Sequence, residues 1–128
     1  MLAEVVIKVE DPMMRLSSEQ VSVLLAANPT LAEHACRQQG IGRFGDKIHN
    51  ASLPHIVEHL AIDYLVNELG QPVTGNTVWH DRSANIMLIR LGFAGIEQED
   101  GRLLVKSQTE VAVFEAVAEL ENLIQNKQ

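Results

Sequence analysis

Alternating apolar residues in strand-length segments, a long apolar run bounded by Pro54 and Gly70, and an amphipathic stretch near the C-terminus predict an α+β fold with a mostly antiparallel sheet and helices packed on one face. With 128 residues, 46% of them hydrophobic and 21% charged, the chain is long enough to bury one core, and residues 1–128 are read as a single domain.

Ala3 to Val9 alternates as a strand does, and Asp11-Pro12 ends it. Ser17 or Ser18 is placed to cap a helix through Val21, Leu24 and Leu25, stopped at Asn28-Pro29. Thr30 then caps a short second helix carrying Leu31, His34 and Cys36. Gly40, Gly42 and Gly45 around Phe44 predict a flexible loop. Asn50 or Ser52 caps the long apolar helix with Pro54 in its first turn, and Gly70 closes it with Pro72 beyond. Val73 to Trp79 and Asn85 to Phe93 read as strands. Asp100-Gly101 is a turn signal that predicts a hairpin of residues 96–99 with 102–106. Ser107 to Glu110 has a capping-box pattern for a last helix bearing Val111, Phe114, Val117, Ala118, Leu120 and Ile124, a stripe that serves as core or as a dimer face.

Composition narrows the function. A net charge of −7 and the lack of any Lys/Arg cluster argue against a nucleic-acid surface and suit cationic ligands better. No apolar run reaches the length of a membrane span, and Met1 to Val9 has neither the basic flank nor the apolar length of a signal peptide, so a cytoplasmic protein without membrane partners is expected. A single cysteine, Cys36, excludes an intrachain disulfide and a cysteine-rich zinc site, leaving histidines and carboxylates to carry any metal.

The segment His55-Ile56-Val57-Glu58-His59 carries the chemistry. On a helix, H-x-x-E-H sets two imidazoles one turn apart with a carboxylate beside them. Two neutral imidazoles can hold zinc while Glu58 acts as general base toward water, and the pattern is the inverse of the commoner H-E-x-x-H of zinc hydrolases. Such patterns also arise by chance on solvated helices. Here Ile56, Val57, Leu60, Ala61, Tyr64 and Leu65 make the helix apolar, and buried histidines need partners. A catalytic zinc wants a third protein ligand, and His34, Cys36 and Asp63 are the candidates. Cys36 reads more simply as a small buried hydrophobe. Asp63, four residues after His59, suits a carboxylate that accepts a hydrogen bond from a ligand imidazole. His49, His80, Arg43 and Arg90 read as surface residues, although either arginine could hold a substrate carboxylate. Gly40-Ile41-Gly42 lacks the lysine and hydroxyl residue of a phosphate loop.

Beyond the motif, the chain resembles the N-terminal domain of cyanophycin synthetases over residues 28–124. The resemblance is carried by Pro29, Leu31, His34 and Cys36 (P-x-L-x-x-H-x-C), by Gly42 and Phe44, by His55 to Ala61, and by Gly70, Val73, Gly75 and Thr77. It implies a domain that docks a peptide polymer and in some members is a zinc-dependent hydrolase of the β-aspartyl-arginine polymer. It also implies His55 and His59 as metal ligands, Glu58 as base, and His34 as the favoured third ligand. The ATP-grasp and Mur-ligase-like modules of those synthetases have no counterpart in these 128 residues, so ligase activity is not expected. Asp63 stands where the family has Glu, Asn50-Ala51 replaces a Thr-Trp, and the G-x-T segment is one residue shorter.

The expected function is therefore a small zinc-dependent hydrolase of an amide or isopeptide, acting on a basic, β-aspartyl-arginine type of substrate. Two rivals accompany it. One is a non-catalytic module that docks a peptide polymer or partners a ligase, and the other is a closed structural zinc site with Glu58 as a ligand.

Overall fold

Alternation along the first strand decides which way the sheet faces. In the computed structural model, which describes residues 1–36, 42–93 and 99–125, with only the backbone of 99–104, the elements follow in the order β1 (Leu2–Lys8), α1 (Ser18–Ala27), β2 (Ala35–Cys36), β3 (Gly42–Arg43), α2 (Phe44–Lys47), α3 (Leu53–Leu69), β4 (Val73–Asp81), β5 (Ile86–Phe93) and α4 (Glu99–Gln125). Strands β1, β5 and β4 form an antiparallel sheet in that spatial order, and β2 pairs with β3 in a separate small ribbon. Ala3, Val5 and Ile7 of β1 and Met87, Ile89, Leu91 and Phe93 of β5 are buried on one face. Buried residues face one another across the two strands, and the residues between them point outward, where Glu4 Oε2 lies 3.1 Å from Arg90 Nε. Helices α3 and α4 cover the buried face, giving the expected α+β layering.

Helix α3 is buried over most of its length, from Leu53 to Leu65, and only Asn67 and Glu68 near its end are exposed. The sheet, α4, the turn Leu31–Glu33 and Phe44 pack against it, leaving Ile56, Leu60, Ala61 and Leu65 fully buried. Pro54 sits in its first turn, and Gly70 ends it in the left-handed conformation (φ 68°) with its N–H on the Val66 carbonyl at 2.9 Å. Glu58, His59 and Asp63 are buried on this helix, which commits it to an interior polar cluster. At the other end of the chain, Ser17 and Gln20 form the reciprocal cap of α1.

Three local expectations change. The turn signal at Asp100-Gly101 is overridden: the backbone is helical from Glu99, and Ser107 to Glu110 lie inside α4 rather than at its start. The stripe Val105, Thr109, Ala112, Val113, Ala116 and Leu120 is buried at helical spacing, and that tertiary burial outweighs the roughly 1 kcal/mol that a helical glycine costs. Ile96 to Gln98, the other arm of the expected hairpin, lie outside the described residues. Thr30 makes no capping bond, and the chain is helical only over Leu31–Glu33 before it extends into β2. Extension lets the His34 carbonyl accept from Phe44 N–H at 2.7 Å and pairs Cys36 with Gly42. The glycine-rich stretch is correspondingly strand and helical turn from Gly42 onward, while Gly40 lies outside the described residues.

Candidate metal centre

The inward face of α3 meets the β2–β3 ribbon at one point. There Cys36, His55 and His59 bring one ligand atom each to within 4.8 Å of the others. Cys36 Sγ is 3.4 Å from His55 Nε2. Tetrahedral zinc with bonds of about 2.0–2.1 Å to nitrogen and 2.3 Å to sulfur sets its donors roughly 3.3–3.6 Å apart, a spacing that the Cys36–His55 pair already has. A buried thiol and two imidazoles can hold a metal ion; Cys36, whose sequence suggested a small hydrophobe, is the third member of the group.

His34 is not in that group and has another task. Its Nε2 lies 2.9 Å from Asp63 Oδ1, which also accepts from Thr30 Oγ1 at 2.5 Å. Its Nδ1 faces His59 Nδ1 at 3.4 Å. A carboxylate only accepts, so His34 donates from Nε2, which in the neutral ring leaves a lone pair at Nδ1. His59 then donates from Nδ1 and keeps the lone pair of Nε2 for a metal. Asp63, expected to accept a hydrogen bond from a ligand imidazole, accepts one from His34, the ring that faces His59.

The remaining neighbours fix orientation. Phe44, fully buried, stacks on the His59 ring at 4.1 Å between centroids and meets the His55 ring edge-on at 5.6 Å. Lys47 Nζ donates to the Cys36 carbonyl at 2.7 Å and holds β2 in place. Glu58 reaches over both ligand rings, with Oε1 3.5 Å from His55 Nδ1 and Oε2 3.9 Å from His59 Nε2. Thr77 Oγ1, from β4, donates to Glu58 Oε1 at 2.7 Å. Burial pushes the Glu58 carboxyl up, but the bonds from His55 and Thr77 and the histidine charges outweigh it and hold it below the ordinary range. Burial, with His55 and His34 nearby, pulls His59 down to about 4 against the opposing pull of Glu58, so its imidazole is neutral near pH 7.

Above the cluster opens a cleft of about 900 Å³. His34, Cys36, His55, Glu58 and His59 line one side, and Val73 to Thr77 of β4 line the other. No protein-family model matches this chain, and no curated protein matches it in sequence. The chemistry of the site therefore rests on its geometry.

The other candidates fall away from the cleft. Arg43 pairs with Glu33 at 3.2 Å, Arg90 faces Glu4, and His49 and His80 are exposed. Among the described residues no helix is long and apolar enough to cross a membrane. Thr77 and Phe44 went unrecognised as site residues. Strand parity was the available signal for Thr77, because it shares the helix-facing side of β4 with buried Val73.

Proposed function

We propose that this protein is a zinc-dependent hydrolase of amide or isopeptide bonds. The observation that carries the reading is Glu58: an ionised carboxylate in the wall of an open cleft, within 4 Å of both imidazoles of the metal-binding group. The resemblance to the N-terminal domain of cyanophycin synthetases supports a β-aspartyl-arginine type of substrate, and the acidic balance of the chain suits its guanidinium groups.

Hydrolysis splits the amide with one water into a carboxylic acid and an amine. Cys36, His55 and His59 would hold the zinc, which supplies Lewis acidity to the reacting carbonyl and water. Glu58 takes the proton of the attacking water and delivers it to the departing nitrogen. Thr77 occupies Oε1, which leaves Oε2 to carry that proton. His34 and Asp63 keep the His59 lone pair turned to the metal.

Glu58→Gln tests the reading. The variant is expected to keep about one zinc per chain by elemental analysis while hydrolysis of β-aspartyl-arginine polymer falls by about 10²–10⁴-fold. A wild-type protein that takes up no zinc, or a variant with unchanged turnover, overturns it. A second reading is favoured by the thiol of Cys36, since thiolates are frequent ligands of structural zinc: Glu58 as fourth ligand of a closed site. In that case Glu58→Gln weakens zinc binding itself.

A further inference from the structure

The cleft is lined by consecutive residues of β4, from Val73 through Thr77. A cleft over the face of a sheet would meet alternate residues only, so this one runs along the strand's edge. Strand β4 is the last in the sheet order, and among the described residues no backbone bond reaches it from any side but β5. Register shows which groups are open. Met1 and Phe93 exchange both backbone bonds, at 2.9 and 2.8 Å, and Val9 N–H reaches the Asn85 carbonyl at 3.1 Å. Odd-numbered residues of β5 therefore turn their backbone groups to β1, and even-numbered ones turn theirs to β4. Their partners Thr74, Asn76 and Val78 are engaged, and Val73, Gly75 and Thr77 point N–H and C=O out of the sheet into the cleft.

We propose that the open edge of β4 binds an extended peptide as a fourth strand, through the backbone groups of Gly75 and Thr77, and so lays a peptide bond against Glu58. Thr77 belongs to both halves of the device: its backbone faces the edge, and its hydroxyl holds the Glu58 carboxylate. Backbone pairing of this kind supplies affinity without regard to side chains, which are then read by the pockets beside the strand. The ligand class is a peptide main chain with free N–H groups. The inference rests on the hydrolase reading for its choice of occupant, and the strand pairing is measured without turnover.

The probe is an equimolar pool of capped, random-sequence octapeptides, titrated into ¹⁵N-labelled, zinc-loaded Glu58→Gln and, in parallel, into metal-free wild type. Hydrogen exchange at the Gly75 and Thr77 amides is expected to slow by about tenfold, as one backbone hydrogen bond of ordinary net strength provides. The Thr74 and Asn76 amides, already paired with β5, should not change. The same pool with every amide N-methylated should have no effect. Absence of binding, binding that leaves Gly75 and Thr77 unmoved, or equal binding of the methylated pool each overturns the proposal. If the amides are protected but no peptide or polymer is ever cut, the strand pairing stands and the hydrolase reading fails. If substrate is cut while those amides stay unprotected, the outcome is the reverse.

Discussion

His34 Nε2 stands 2.9 Å from Asp63 Oδ1, and that one contact sets the proton positions of the cluster. With the Nε2 proton committed to Asp63, the Nδ1 atoms of His34 and His59 can meet at 3.4 Å only as acceptor and donor. Asp63→Asn replaces a group that only accepts by one that also donates, so the His34 tautomer is no longer defined. Zinc affinity, measured by competition with a chromogenic chelator, is expected to fall by about 10–100-fold with little change in secondary structure. Unchanged affinity, together with unchanged ¹⁵N shifts of the His59 ring, would show that the contact positions nothing.

Cys36 and His34 make opposite predictions in a metal-binding assay. If sulfur is a ligand, the cobalt-substituted protein shows a thiolate-to-metal charge-transfer band in the near ultraviolet, and Cys36→Ser abolishes it. His34→Ala should retain the band with weakened affinity, because it removes the partner of His59 and not a ligand. A band that survives Cys36→Ser removes the thiol from the site.

Gly45→Ala tests how tightly α2 seats the ribbon. A Cβ at this position would lie 2.7 Å from the Ala32 Cβ and 3.0 Å from the Ala32 carbonyl oxygen. Alanine gains roughly 1 kcal/mol of helix propensity over glycine, but neither contact is a flexible side-chain end, and overpacking costs about 1–3 kcal/mol. Net destabilisation in urea titration is expected, with weaker zinc binding because His34 and Cys36 follow Ala32 closely. A variant more stable than wild type would show that the turn has room to relax.

Tyr64 should govern the alkaline limit of stability. Its hydroxyl donates to Glu119 Oε1, and Glu119 Oε2 accepts from Asn28 Nδ2 at 2.6 Å. Burial, then the bond to Glu119, raises the phenol well above its ordinary value of 10.0. The unfolded chain thus releases this proton first. The contribution to stability is complete below pH 10 and is lost progressively as the pH rises above it. Urea melts of Tyr64→Phe should show it less stable than wild type by about 1 kcal/mol at pH 8, with the gap narrowing above pH 10. A gap independent of pH would exclude the linkage.

The residue pattern alone determined the layers and the motif. Val5, Ile89 and Leu91 alternate because one sheet face is covered, and Ile56, Val57, Leu60, Ala61 and Leu65 make α3 apolar because it packs between the sheet and α4, so the residue pattern revealed both. Gly70, Ser17 and Pro54 marked helix ends through local backbone chemistry that needs no tertiary contact. His55, Glu58 and His59 share a helix face through the 3.6-residue repeat, a relation already present in five consecutive letters.

Tertiary structure decided what no spacing encodes. Nothing in the interval from residue 36 to residue 55 states that a sulfur will meet an imidazole; that follows from the β2–β3 pairing and from Phe44 seated against both histidine rings. His34 became the link between Asp63 and His59 because its backbone is extended where a helix was expected, and that extension is set by the bond to Phe44. The helical path through Asp100-Gly101 likewise reflects burial of the α4 stripe against α3 overriding a local turn preference. Local rules act over a few residues and were legible; the site is closed by contacts between elements far apart in the chain, whose energy exists only once the core has formed.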